Sequence, residues 1–251
     1  QRPGLRLKPR VLVPVPGSIT PVEKRALFNS THRAGARQVF LLPQAKAAAL
    51  GAGLPIREPL ASMVCDLGAG TTEVAVISLG DVVASRSVRT GGQQMDHAVV
   101  DHLRRKHSLR IGLPAAERLR IEIGTAYPVN GRRDEEVRGL DLLSGLPRKA
   151  TVTSEEIRQA LDGPLEAILD AIRQTLDHLT PDLAADLMDT GLLLCGGASL
   201  TPGIDRFLAE KTGLPVRVVP EPLATVAQGA LVCLENLERW RSALESSDDD
   251  V

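Results

Sequence analysis

The sequence predicts an α/β protein, with a parallel or mixed sheet covered by helices. Three observations carry this expectation. Runs of strand length alternate with helical patterns through the first third; two apolar runs flank a glycine-rich turn at Asp66-Leu67-Gly68-Ala69-Gly70-Thr71-Thr72-Glu73; and a later apolar run also ends in glycines, Gly196-Gly197. With 251 residues, 43% hydrophobic content and a formal net charge of -1, the chain can bury a substantial core in one large or two modest domains.

Arg10 leads into Val11-Leu12-Val13-Pro14-Val15-Pro16, a strand whose prolines place it where an N–H can be spared. Thr20-Pro21-Val22-Glu23 combines a Thr N-cap, Pro at the first helical position and Glu at the third, a capping box that starts a helix closed by Gly35. Gln38 to Leu42 is the next strand. Ala45 to Leu50 begins a small-residue helix that Gly51-Ala52-Gly53-Leu54-Pro55 stops, and its alanines permit close packing. Ser62-Met63-Val64-Cys65 and Val74 to Leu79 read as strands around the glycine turn, and Gly80-Asp81 turns into a further strand, Val82 to Val88.

Thr90-Gly91-Gly92 opens a helix through Met95, Val99 and Leu103, and a second helix from near Pro114 reaches Gly124. Glu117 and Arg120 lie three apart on that helix, where an intrahelical ion pair is the bland expectation. Arg132 to Gly139 and Arg148 to Val152 read as a charged hairpin, and Thr153-Ser154-Glu155-Glu156 caps a long helix that Gly163-Pro164 should kink or restart. Leu165, Ile168, Leu169, Ile172, Leu176 and Leu179 form its core-facing stripe. Gly191 to Cys195 is a buried strand ending in Gly196-Gly197-Ala198-Ser199, and Thr201-Pro202-Gly203 leads into a helix. Val216 to Val219 follows as a strand. Pro222 starts a closing helix running towards Trp240, and residues 246–251 read as a frayed acidic tail.

The composition excludes several classes of function. Lys and Arg number 30 against 31 acids, dispersed, with 2% aromatics, so no basic stripe with stacking rings points to nucleic acid. Cys65, Cys195 and Cys233 lack metal-ligand spacing and read as reduced, buried thiols of a cytosolic protein. No span is long enough to cross a bilayer, and the basic start Gln1 to Arg6 leads to no apolar signal region. The first residue is not Met, which fits a processed chain, a shortened one or a fragment.

The Asp66 stretch has the chemistry of a phosphate grip. Gly68 and Gly70 let an anion approach the main chain, Thr71 and Thr72 add hydroxyls, and Asp66 can hold a hydrated cation against the phosphate. A glycine hairpin alone is more often only a turn. Pairing it with Gly196-Gly197, also at a strand end, would bring two backbone walls to one nucleotide.

The order and spacing of Cys65 to Gly80, then Val88-Arg89-Thr90-Gly91-Gly92, Ala116-Glu117-Arg118, Ile121-Glu122-Ile123-Gly124, Leu194 to Ala198 and Glu221 to Gly229, resemble bacterial actins of the MreB/Mbl type. The resemblance runs from about Val11 through the closing helix. It implies an actin/Hsp70-like (ribonuclease H-like) ATPase fold, N-terminally truncated, because the family's opening Asp-Leu-Gly hairpin and small subdomain are absent from these residues. Residues 1–56 would be the remnant of a first domain. Residues 57–245 would form the second, with an insertion at about 93–187 and a closing helix returning to the first, followed by the tail 246–251.

The resemblance further implies ATP and Mg between the domains. Asp66 would organise metal and water; Gly68, Ala69, Gly70, Thr71 and Thr72 would hold phosphate; Gly196, Gly197 and Ala198 would line the other side; Glu117 and Arg120 would face adenosine. Arg120 stands where the family prefers Lys, and the two are not interchangeable. Gln44-Ala45-Lys46 replaces the family's Glu-Pro-Met, so Gln44 takes the place of the glutamate that orients attacking water. Glutamine can position water but lacks carboxylate basicity, which implies weak or absent ATPase activity. The implied role is a cytoplasmic cytoskeletal protein that polymerises with like subunits or a full-length relative. It would direct cell-wall synthesis and cell shape and reach the inner membrane through wall-synthesis partners. An ATP hydrolase or chaperone-like clamp on the same fold, or a degenerate partner-binding relative, are the alternatives.

Overall fold

Strand β1 (Arg10–Val15) and strand β2 (Gln38–Pro43) pair in parallel, joined by helix α1 (Pro21–Arg33). The computed structural model describes residues 8–128, 131 and 133–246. The capping box at Thr20 is present: Glu23 N donates to Thr20 Oγ1, and Thr20 N donates to the Glu23 carboxylate at 2.8 Å. Helix α2 (Gln44–Gly51) then leads to β3 (Ser62–Leu67), β4 (Thr72–Ser78) and β5 (Asp81–Val88). The chain continues through α3 (Gly92–His107), β6 (Leu109–Arg110), α4 (Leu113–Ile123), β7 (Asp134–Asp141), β8 (Pro147–Thr153), α5 (Ser154–Leu176) and α6 (Pro181–Thr190). Next come β9 (Leu192–Cys195), a 3-10 turn (Gly197–Leu200), α7 (Ile204–Thr212), β10 (Val216–Val218), α8 (Thr225–Glu235), α9 (Leu237–Trp240) and β11 (Glu245–Ser246).

The described strands make three sheets, ordered β1-β2-β11, β10-β9-β3-β4-β5 and β6-β7-β8. The five-stranded sheet is mixed: β3 runs parallel to β9 and antiparallel to β4. Every residue of β3 and β4 is buried, which is why both read as continuous runs without a polar face. Alternation along β3 sends Met63, Cys65 and Leu67 into the core under α3, α4 and α5, while Val64 faces a second core with α2 and α8. Asp66 shares the parity of Val64, so its carboxylate points towards α2.

Helices α2 and α8 join the two larger sheets. Their contact is close enough that a Cβ on Gly51 would lie 1.8 Å from Thr225 O, and one on Gly229 would lie 1.8 Å from Ala47 O. The alanines of α2, Ala45 and Ala47 to Ala49, are all buried and complete this crossing. Lys46, also buried, extends its Nζ to the exposed Asp81 at 3.1 Å.

Several elements differ from the sequence expectation. Helix α5 passes through Gly163-Pro164 without a break: its apolar stripe is packed into the core at Leu165, Ile168, Leu169 and Ile172, and that packing outweighs one lost backbone hydrogen bond. Leu176 and Leu179 pack against the same core. The closing helix starts at Thr225 rather than Pro222 and stops at Asn236, whose backbone leaves the helical region, so α9 carries Trp240 separately. Ser246, expected in a frayed tail, is buried and pairs with Phe40 in β11. The rest of that tail, Arg132 of the charged hairpin and the basic start Gln1 to Arg6 lie outside the described residues.

The three cysteines are free and buried. Burial raises each thiol, Cys233 to about 11, which removes them as nucleophiles at neutral pH. Among the described residues no helix is long and apolar enough to cross a membrane.

Candidate functional site

The turn from Gly68 to Thr71 closes on itself through Gly68 N donating to Thr71 O at 2.9 Å. Its carbonyls are held by the start of α3: Gly92 N donates to Gly68 O at 3.0 Å and Gln93 N to Ala69 O at 2.7 Å. The first two amides of α3, at an end that binds anions in many proteins, are thus committed to the hairpin. The amides of Ala69, Gly70 and Thr71, by contrast, donate to no described residue. Successive free amides on a turn form a concavity suited to an anion, so the turn fits a phosphate.

A cleft of about 660 Å³ opens beside this turn. Gly68 and Ala69 line it together with Gly197 and Ala198, and with Glu117 and Arg120 of α4. Six of the residues singled out in the sequence therefore meet around one cavity of ligand size. Gly70 and Thr71 continue the same turn outside it, and Thr71 borders a second cavity of about 580 Å³ with Ser18, Thr20, Ser87 and Arg89.

Gln44, Asp66 and Gly196 lie together behind the turn rather than on the cleft. Gln44 Nε2 donates to Asp66 Oδ2 at 2.5 Å. Gly196, at φ +80, packs so tightly on Asp66 that a Cβ would come within 2.3 Å of Oδ1. Burial raises the Asp66 carboxyl above the usual aspartate range, against the lowering effect of hydrogen bonds from Gln44 and Cys195. Among the described residues no group of three or more His, Cys, Asp or Glu could hold a metal ion. Mg, however, commonly takes one or two carboxylates plus phosphate oxygens and water, and Asp66 offers one such carboxylate.

Two expectations change. Thr72 is fully buried and its hydroxyl donates to Thr90 O at 2.7 Å, so it braces the hairpin instead of presenting a free donor. Arg120 does not pair with Glu117: its Nε donates to Asp96 Oδ1 of α3 at 2.6 Å, both residues being buried, while Glu117 is exposed with no partner among the described residues.

Sequence reasoning missed several lining residues. Asp96 and Gln93 border the cleft, as do Leu113, Ile121, Leu200 and Leu223, large apolar side chains left 44–76% exposed around it. A signal existed for Asp96: it sits beside Met95 on the buried face of α3, as Arg120 sits beside Leu119 on that of α4, and opposite charges on two buried faces call for each other. Glu73, opposite Asp66 in the ladder, accepts from Gly17 N at 2.9 Å through Oε1, while Oε2 is buried with no hydrogen-bond partner among the described residues.

Comparison with known proteins agrees on one family. The family model described as MreB/Mbl protein matches residues 3–242. The chain is 48% identical over 244 residues to the cell shape-determining protein MreB of Escherichia coli (strain K12), an alignment covering 97% of this chain and 70% of that protein. It is 39% identical over 236 residues to the cell shape-determining protein Mbl of Bacillus subtilis (strain 168), covering 94% and 71%. Among solved structures, MreB5 of Spiroplasma citri bound to ADP superposes with a TM-score of 0.89 at 34% identity, over 92% of this chain and 70% of that one. The MamK double helical filament superposes with a TM-score of 0.78 at 19% identity, over 94% and 71%, which speaks to the fold alone. The fold is actin-like.

Proposed function

The chain belongs to the MreB/Mbl family of actin-like, cell shape-determining proteins, and from that premise we propose that it is a nucleotide-binding cytoskeletal subunit that assembles with like subunits and directs cell-wall synthesis. The observation that supports nucleotide binding is the cleft lined by Gly68, Ala69, Gly197 and Ala198, next to a turn on which the amides of Ala69, Gly70 and Thr71 donate to no described residue. Ala69, Gly70 and Thr71 would hold the phosphates through their amides, Gly68 and Thr72 would shape that turn, and Gly197 and Ala198 would cover the nucleotide from the other wall. The apolar side chains at the cleft suit the faces of a purine, and Glu117 and Arg120 its sugar.

Bound nucleotide would supply the charge that Asp66 answers with a hydrated Mg ion. Gln44, already bonded to Asp66, would orient water without accepting its proton, so hydrolysis would be weak or absent. ADP and AMPPNP are bound by the MreB5 relative, which supports the same ligand class here. Residues 1–56 would act as part of a first domain and 57–245 as the second. The protein would work in the cytoplasm and reach the inner membrane through wall-synthesis partners.

Calorimetric titration with Mg-ATP tests the reading. Saturable binding is expected for the wild type and its loss for Ala69→Asp, which sets a negative charge against the free amides. Folded wild-type protein that takes up no ATP would overturn it.

A further inference from the structure

We propose that the basic outer face of the β6-β7-β8 sheet is a docking surface for the acidic tail of a second copy of this chain, so that neighbouring subunits are joined tail to sheet. This rests on the assembly reading above and deepens it by naming two surfaces that meet.

The sheet has two unlike faces. Leu109, Val137 and Val152 point into the core with α3, α4 and α5. Arg138 stands opposite Lys149 and Arg110 opposite Leu140, so strand alternation puts Arg110, Arg138 and Lys149 together on the outward face, where all three are exposed. Like charges directly opposite each other destabilise a ladder, and Arg138 and Lys149 are such a pair. The acids of the same face lie towards the start of β7 and are engaged: Glu136 meets Lys149 at 2.8 Å, and Asp134 has a partner of its own. Arg110 and Arg138 form no ion pair with a described residue. Unmatched guanidinium groups on an exposed sheet fit carboxylates.

The chain itself carries the matching carboxylates. Glu245 and Ser246 run along β2 as β11, and Ser247-Asp248-Asp249-Asp250-Val251 follows, with three consecutive acids that the nucleotide site does not use. Between β11 and the basic face lie α2 and α8, then the five-stranded sheet, then α3, α4 and α5. At about 10 Å per layer, these four spacings put β11 roughly 40 Å from β6-β7-β8. Residues 247–251 span at most about 18 Å. The tail therefore cannot reach the basic face of its own chain, and the face it meets is a neighbour's. A patch that complements a different patch of the same molecule makes a heterologous contact, which can pass from copy to copy along a filament.

The test mixes isotopically light and heavy forms of the whole chain, pellets them with Mg-ATP and adds a carbodiimide, which couples an amine to a carboxylate in contact with it. Mass spectrometry is expected to find Lys149 joined to Asp248, Asp249 or Asp250 in mixed light and heavy pairs, with Lys149–Glu136 coupling inside one chain as the control. Two sets of charge reversals add a second readout, with circular dichroism confirming folding. Arg110→Glu with Arg138→Glu, or Asp248→Lys with Asp249→Lys and Asp250→Lys, should raise the concentration at which half the protein pellets by about threefold or more at low salt. Combining both sets should restore it. The shift should vanish in about 1 M salt, where the screening length falls to about 3 Å. Tail coupling confined to one isotope form, control coupling without tail coupling in pelleted protein, or no rescue by the combined reversals overturns this inference alone. Wild type that pellets neither with nor without Mg-ATP and gives no mixed coupling overturns the assembly reading and this inference with it.

Discussion

Gln44 donates to Asp66 at 2.5 Å, and this contact concentrates what distinguishes the site chemically. Replacing it by glutamate adds a base where water would be activated, but removes a donor and faces a third carboxylate towards Asp66 and Glu73, both already raised by burial. Gln44→Glu should therefore raise ATP turnover by about 10²-fold and lower stability by about 1–3 kcal/mol; phosphate release and thermal melting check the two effects separately. Gly196→Ala meets Asp66 Oδ1 from a left-handed backbone. It should lose at least about 1–3 kcal/mol in a denaturant titration. The glycines and Asp66 were legible in the sequence because their chemistry is local. The Asp96–Arg120 pair left only an indirect signal, charges on two apolar helix faces, since 24 residues separate its members and helix packing brings them together.

At the scale of elements, strands and caps were legible wherever a single pattern dominated. Thr20 and Thr153 both form the capping boxes their spacing announces. The continuity of α5 through Pro164 and the break at Asn236 were not: core packing overrides a local stop signal in one, and in the other the backbone leaves the helical region with no Gly or Pro nearby to mark it. The α2–α8 crossing depends on bare backbone at two glycines. Gly229→Ala should separate the helices and lose about 1–3 kcal/mol or more, read as a lowered denaturation midpoint. The start of α5 also carries an acid-sensitive joint. Burial pushes the Glu156 carboxyl up, but hydrogen bonds from the Thr153 amide, His107 and Lys106 outweigh it and hold it at about 2 against an ordinary 4.5. A depressed carboxyl stabilises the fold above pH 4.5 and loses that contribution as pH falls towards 2. Asp66 and Glu73, raised by burial, change in the opposite sense, so the comparison must be with Glu156→Gln. That variant should be less stable than wild type at pH 7, with the difference shrinking between pH 4.5 and 2 in thermal melts.

For the whole molecule, α2 and α8 are the joint between the sheet of β1, β2 and β11 and the five-stranded sheet. Two further ties converge beside the glycine turn: Gln44 reaches Asp66, and Gly17 N donates to Glu73. A ligand on that turn would thus act on contacts that set how the two sheets sit together, the kind of coupling by which nucleotide state could govern assembly. Family membership was legible from motif order over most of the chain, whereas nothing in one chain's sequence shows which of its surfaces meet in a polymer. The central claim is nucleotide-dependent assembly, and ultracentrifugal sedimentation of the protein with and without Mg-ATP tests it most directly. The account predicts that ATP moves the protein into the pellet as filaments. Protein that stays in the supernatant at high concentration in both conditions, while turning over ATP, would contradict it.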